Sequence, residues 1–136
     1  MTAGYSGTPL AKKLGIKPGA VLHPVHAPAN YLALLDPLPE NVKVSRGVIE
    51  DLDLVHLFTK SRTELIELLE RYKTKIKQNG AIWVSWPKKT SGIPSEITED
   101  TVREVALPMG LVDIKVCAVD DTWSGLKLVI RKENRK

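Results

Sequence analysis

The sequence predicts a three-layer, Rossmann-like α/β fold: a mostly parallel sheet of about six strands, helices on both faces, and a closing antiparallel hairpin. Three observations lead there. Apolar stretches of strand length alternate with stretches of helical spacing along the 136 residues. Residues 53–58 form a run broken only by His56, as expected of a central strand covered on both faces. Two strand-like stretches, 111–119 and 126–131, follow one another with no helix between. A receiver or flavodoxin-like domain would end on a helix instead.

Taken in order, Thr8-Pro9 is a helix start, with threonine as the cap and proline at the first helical position. Leu10 and Leu14 share a face, Gly15 closes the short helix in the left-handed conformation, and Lys17-Pro18-Gly19 makes a turn. Residues 20–27 read as a strand in which Pro24 calls for a bulge or an edge position. A short helix over 30–35 ends at Asp36-Pro37, and 41–46 is a half-buried strand with Val42 and Val44 inward.

After the central run, Ser61 and Glu64 predict a capping box. Leu65, Leu68, Leu69, Tyr72 and Ile76 then keep helical spacing to about Lys77, with glutamates early and lysines late, as the helix dipole favours. Asn79-Gly80 breaks that helix, and 81–86 is another buried strand. A polar loop over 87–97 leads to a helix capped by Thr98, with Pro108 near its end and Gly110 to close it. The last two strands are joined across 120–125. No repeat, linker or low-complexity tract divides the chain, so 1–136 is expected to be one domain with a frayed tail at 132–136.

Composition narrows the class of protein. With 43% hydrophobic and 26% charged residues the balance is that of an ordinary globular domain, large enough to need no disulfide or structural metal. Cys117 is the one cysteine and sits in a strand-like stretch, where a thiol behaves as a small apolar group. The opening residues lack the basic-then-apolar pattern of a signal peptide, and no apolar run has the length of a membrane span, so the cytoplasm is the expected compartment. The net charge of +4 is spread over the surface and the tail, and does not by itself predict nucleic-acid binding.

Several stretches resemble known families. The run at 53–58, the long helix after it and the Asn79-Gly80 turn into a buried strand resemble the later half of the class I S-adenosylmethionine-dependent methyltransferase fold, whose reversed last strand the final hairpin matches. The segments SWPKKTSG at 85–92 and DDTWSGLK at 120–127, with the opening stretch 4–19, resemble a family of small bacterial proteins of unknown function. The departures bear on activity. Where a methyltransferase has a glycine-rich cofactor loop this chain has His26-Ala27-Pro28-Ala29-Asn30, and where a Rossmann-type site holds the ribose with an acid it has Val44-Ser45-Arg46. One strand–helix unit is also missing. Cofactor binding in the usual mode is therefore not expected, and no cofactor is named.

Open parallel sheets bind ligands beyond the carboxyl ends of their strands. Four segments should reach that edge: 26–30, 59–61, 86–92 and 120–125. The candidate site is therefore a rim with Trp86 or Trp123 as a stacking face and Lys88, Lys89 or Lys127 as charge, bordered by Asp120, Asp121, His26 and Asn30. It suits a small anionic or aromatic ligand, or a protein partner. The competing reading is structural: the tryptophans fill the end of the core, and the lysines pair with the aspartates. His26 is the best single candidate for chemistry, since imidazole can titrate near neutral pH. No metal site is expected, because His23 and His26 fall on opposite faces of a strand and no ligand set completes them. A non-catalytic binding module is the leading expectation, with a divergent transferase and a weak nucleic-acid binder as alternatives.

Overall fold

The computed structural model describes residues 9–47 and 50–136. Six strands form one sheet: β1 (Val21–Val25), β2 (Lys43–Val44), β3 (Leu52–Phe58), β4 (Ile76–Pro87), β5 (Leu111–Ala118) and β6 (Trp123–Ile130). Their order is β2-β1-β3-β4-β6-β5, with β2, β1, β3 and β4 mutually parallel and β6 antiparallel to both of its neighbours. β5 therefore runs with the parallel strands, and the turn that follows it lies at their carboxyl edge.

The helices are α1 (Leu10–Leu14), α2 (Tyr31–Leu35), α3 (Arg62–Tyr72) and α4 (Glu99–Ala106). Leu65, Leu68, Leu69 and Tyr72 of α3 and Val102, Val105 and Ala106 of α4 share one core cluster with Val55, Leu57, Val84 and Leu126 of the sheet. Ala11 and Leu14 of α1 and Tyr31 and Leu35 of α2 share the other, with Leu54, Phe58 and Trp83. The sheet is thus covered on both faces, as its apolar strands require.

Local chemistry accounts for the boundaries. Gly15 closes α1 at φ +81°; the expected cap Thr8 lies outside the described residues. Pro24 pairs with His56 of β3 on one side, while β2 pairs only with Val21 and Leu22 on the other, so the proline occupies a locally open edge. Beyond Ala106 the chain tightens into a 3₁₀ turn over Leu107–Met109, because Pro108 has no N–H to continue the helix, and Gly110 ends it at φ +86°.

Two of these boundaries differ from expectation in ways that matter. The long helix ends at Tyr72, and Ile76, helical by spacing, opens β4 opposite Leu52. Asn79-Gly80 consequently lies inside β4. There β4 advances five residues, Ile76 to Ala81, while β3 advances two, Leu52 to Leu54. The surplus folds so tightly that a methyl group on Gly80 would stand 3.0 Å from the Leu52 carbonyl oxygen. Lys77 is held there by Asp53, Nζ to Oδ1 at 3.0 Å, and Asp53 Oδ2 accepts the Val21 N–H at 2.9 Å. The final hairpin is tighter than expected: Trp123, Ser124 and Gly125 belong to β6. Asp120 closes the turn by accepting the Thr122 and Trp123 N–H groups, each at 2.8 Å.

In the tail, Arg135 Nε donates to the Ile130 carbonyl at 2.9 Å, and the Lys136 N–H donates to Gln78 Oε1 at 3.0 Å, both at the surface. The outermost strand, β5, is also irregular. Asp113 opposes Leu128 and Lys115 opposes Lys127, so Ile114 is an extra residue without a partner on β6.

Candidate functional site

Because β1, β3, β4 and β5 run the same way, the residues after Val25, Phe58, Pro87 and Ala118 share one edge. From β1 the chain passes to β2 on one side, then to β3 on the other, so the order reverses between β1 and β3. Crevices of this kind are where open α/β sheets take ligands.

At the reversal stands His26. Its backbone is left-handed, φ +56°, a conformation that side chains other than glycine rarely adopt. Its imidazole is more than half exposed, with Nδ1 3.6 Å from Glu64 Oε2. Glu64 is fixed from behind by the Thr59 hydroxyl, which donates to Oε1 at 2.6 Å. The expected capping box of α3 is accordingly only half made. Ser61 Oγ accepts the Glu64 N–H, while the Glu64 carboxylate turns to Thr59 and His26.

Two cavities flank this group. One, of about 450 Å³, is lined by His26, Pro28, Tyr31, Leu32, Val44 and Arg46. The other, of about 400 Å³, lies toward α3 and is lined by His26, Arg46, Glu64, Glu67 and Arg71 among others. His26 and Arg46 border both. Asn30, also expected at this edge, is exposed at the start of α2 and makes no side-chain cap bond.

The hairpin half of the edge is built differently. The β4–β6 register sets Trp86 opposite Ser124 and Pro87 opposite Trp123, so the two tryptophans lie on opposite faces of the sheet. Trp86 is buried in the cluster beneath α3 and α4. Trp123 packs edge-to-face on Phe58, ring centres 5.1 Å apart, on the other side. Lys88 and Lys89 border a shallow groove of about 290 Å³ with Trp86, Ile97, Thr98 and Ser124. Neither lysine forms an ion pair with Asp120 or Asp121; Asp120 is engaged in the hairpin turn, and Asp121 is exposed. Lys127 is not at the rim at all. It sits opposite Trp83 in mid-strand, on the face covered by α1.

A buried polar chain lies beneath the edge that the sequence did not announce. Tyr31 Oη is 2.8 Å from His56 Nδ1, and His56 Nε2 is 2.8 Å from Ser85 Oγ. Burial pushes the His56 imidazole down to about 3 and the Tyr31 phenol upward, so both are uncharged at neutral pH. Ser85 is fully buried, and a methyl group on the facing Gly125 would stand 3.4 Å from its hydroxyl oxygen. The serine is thus sealed from solvent and serves the core. His23 is likewise internal, bonded to the Ser45 carbonyl at 2.8 Å and near Tyr72 Oη at 3.1 Å. Among the described residues no group of three His, Cys, Asp or Glu side chains is placed to hold a metal ion. Nor is any helix among them long and apolar enough to cross a membrane.

Comparison with known proteins agrees with this architecture. The model of a family described as protein of unknown function DUF3052 matches residues 42–132. Among curated proteins none matches the sequence. Solved structures with the same fold include a SAM-dependent methyltransferase from Aquifex aeolicus, 18% identical at a TM-score of 0.65, covering 89% of this chain and 88% of its own. A candidate type 11 methyltransferase from Sulfolobus solfataricus is 13% identical with the same TM-score, covering 92% and 91%. The fibrillarin pre-rRNA processing protein of Methanococcus jannaschii is 12% identical at 0.59, covering 90% and 74%. At these identities the likeness is one of fold: a class I methyltransferase-like sheet, with β6 as its reversed strand.

Proposed function

The chain belongs to the DUF3052 family of unknown function, and we propose that it is a non-catalytic binding module on a methyltransferase-like fold, taking a small anionic ligand between His26 and Arg46. The observation that carries this reading is the left-handed backbone of His26 at the strand-order reversal. A side chain in that conformation costs on the order of 1 kcal/mol relative to glycine, and such strain concentrates where a side chain is needed. Here the strained residue aims an exposed imidazole between two cavities, each large enough for a small molecule.

Arg46 supplies fixed positive charge in the same crevice, and Tyr31 and Leu32 supply an apolar wall. Arg46 stands where a ribose-holding acid is usual, and Ala27, Pro28 and Ala29 carry side-chain atoms where a cofactor loop has glycine. Both features favour a ligand other than S-adenosylmethionine. Lys88, Lys89, Asp121 and Trp123 continue the edge and extend the site toward a larger ligand or a partner protein.

Thermal-shift measurements against nucleotides, small organic acids and S-adenosyl compounds test this. The expected result is a shift with an anionic ligand that is lost in Arg46→Ala and His26→Gly, while His26→Gly without ligand is at least as stable as wild type. If no anion shifts the protein, or both variants respond as wild type does, the reading is wrong. A divergent transferase is the second reading. It is favoured by the imidazole–carboxylate pair of His26 and Glu64, an arrangement suited to proton transfer. Calorimetric heat with S-adenosylmethionine would select it.

A further inference from the structure

Away from the carboxyl edge, lysines gather on the sheet face beside α1. Lys115 and Lys127 are direct partners across the β5–β6 pair, after the extra residue at Ile114 has turned Lys115 to the α1 side. Like charges so placed repel. The Lys115 ammonium donates to the Lys13 carbonyl at 3.0 Å, which ties β5 to α1. The Lys127 ammonium lies over Gly15, and a methyl group there would come within 3.1 Å of it. Lys17, two residues beyond Gly15, adds a third positive charge that bears on Lys127.

Nothing described in the protein balances these charges. Lys77, Arg103 and Arg131 each reach a carboxylate, whereas none of Lys17, Lys115 and Lys127 enters an ion pair. The nearby thiol of Cys117 supplies no anion, since burial raises its titration more than Lys13 and Lys115 lower it. Lys127 bears the cost. Burial first, then the charges of Lys115 and Lys17, drive its ammonium below the usual lysine range.

We infer that Lys17, Lys115 and Lys127 form a second anion site, separate from the His26 crevice, whose positive charge suits the oxygens of a phosphate group. Lys115 keeps one of its donors on the Lys13 carbonyl; its remaining donors and those of Lys17 and Lys127, none of which reaches a carboxylate, suit a compact oxyanion, which offsets the repulsion. Gly15 has a role in this. Its left-handed turn closes α1, and its lack of a side chain leaves room for the Lys127 ammonium. Free phosphate compounds and nucleic-acid backbones both present such a group, and the test separates the two.

Thermal unfolding of the whole chain is followed in inorganic phosphate and in chloride at matched ionic strength. Phosphate should raise the wild-type Tm by several degrees beyond chloride. Lys127→Met should raise the Tm in chloride, because a repelled charge is gone, and should lose the phosphate increment; the more exposed Lys115→Met should also lose most of it. Arg46→Ala, altered only in the other crevice, should keep the increment, so failure of one site is not failure of the other. An equal response to phosphate and chloride, or an undiminished increment in both lysine variants, would overturn the inference. With a short single-stranded oligonucleotide as the probe, affinity at least tenfold above inorganic phosphate, steeply salt-dependent and lost in Lys127→Met, identifies backbone phosphates. Absence of that gain, with the phosphate increment intact, identifies a free phosphate compound.

Discussion

His56 Nε2 lies 2.8 Å from Ser85 Oγ across the β3–β4 pair, with both residues fully buried. A neutral imidazole has one donor and one acceptor nitrogen, and here each faces a hydroxyl that can play either part. The histidine is therefore satisfied in both tautomers without admitting charge or water. Its stacking on Phe58, ring centres 4.3 Å apart, completes an apolar enclosure.

That enclosure makes stability depend on pH. The His56 imidazole titrates near 3 in the folded protein and near 6.5 in an ordinary setting, so between those values the unfolded chain binds the extra proton. Its contribution is complete above about pH 6.5 and declines as pH falls toward 3, at up to roughly 1.4 kcal/mol per unit. Urea titrations from pH 7 to pH 4 should show this slope in wild type and a weaker one in His56→Gln.

Removing one partner of the chain should cost more than removing all of it. Ser85→Ala leaves a buried imidazole nitrogen unmatched and should destabilise by about 1–3 kcal/mol. The triple variant Tyr31→Phe, His56→Leu, Ser85→Ala leaves no polar atom stranded and should recover most of that loss. Chemical denaturation of the two proteins decides the matter.

Gly80→Ala should be severely destabilising for its position near a strand end. The added methyl would stand 3.0–3.1 Å from the backbone of Leu52 and Lys77, so these backbone atoms, the first of them in a residue paired across β3 and β4, must give by a few tenths of an ångström. A loss on the order of 1–3 kcal/mol is expected, as for other overpacked sites. Hydrogen exchange at the Leu52 and Ile76 amides should quicken with it.

Trp83 anchors α1 from inside the sheet, donating from Nε1 to the Leu14 carbonyl at 2.9 Å. Trp83→Phe strands that carbonyl and leaves a void. A loss of about 2–4 kcal/mol is expected, with α1 amides deprotected before those of α3. Protection of α1 as in wild type would show that the indole does not hold it.

Much of the fold was legible because its signals are local. Ser61 and Thr98 cap the helices they were expected to cap, Gly15 and Gly110 close theirs, and the apolar run interrupted by His56 is a central strand. Ile76 misled because a residue four positions beyond Tyr72 fits helical spacing as well as the first position of a strand. The shape of the candidate site was less legible. Trp86 and Trp123 belong to motifs that meet at one edge, yet only the cross-strand register reveals that they face opposite ways. Lys127 was misplaced for the same reason, since the tight turn at Asp120 draws Trp123, Ser124 and Gly125 into the strand and carries the lysine inward. The partners of His56 lie 25 and 29 residues away, beyond the reach of any spacing rule.

The surplus residue at Ile114 has a consequence for how molecules of this protein meet one another. β5 is the longer of the two border strands, and it exposes Ile114 and Val116, the composition that invites a foreign strand to join and a fibril to grow. An incoming strand would find the row of amide donors and acceptors broken midway, beside a lysine it would have to desolvate. The flaw in the ladder thereby acts as a guard against self-templated aggregation, at the one border long enough to need it.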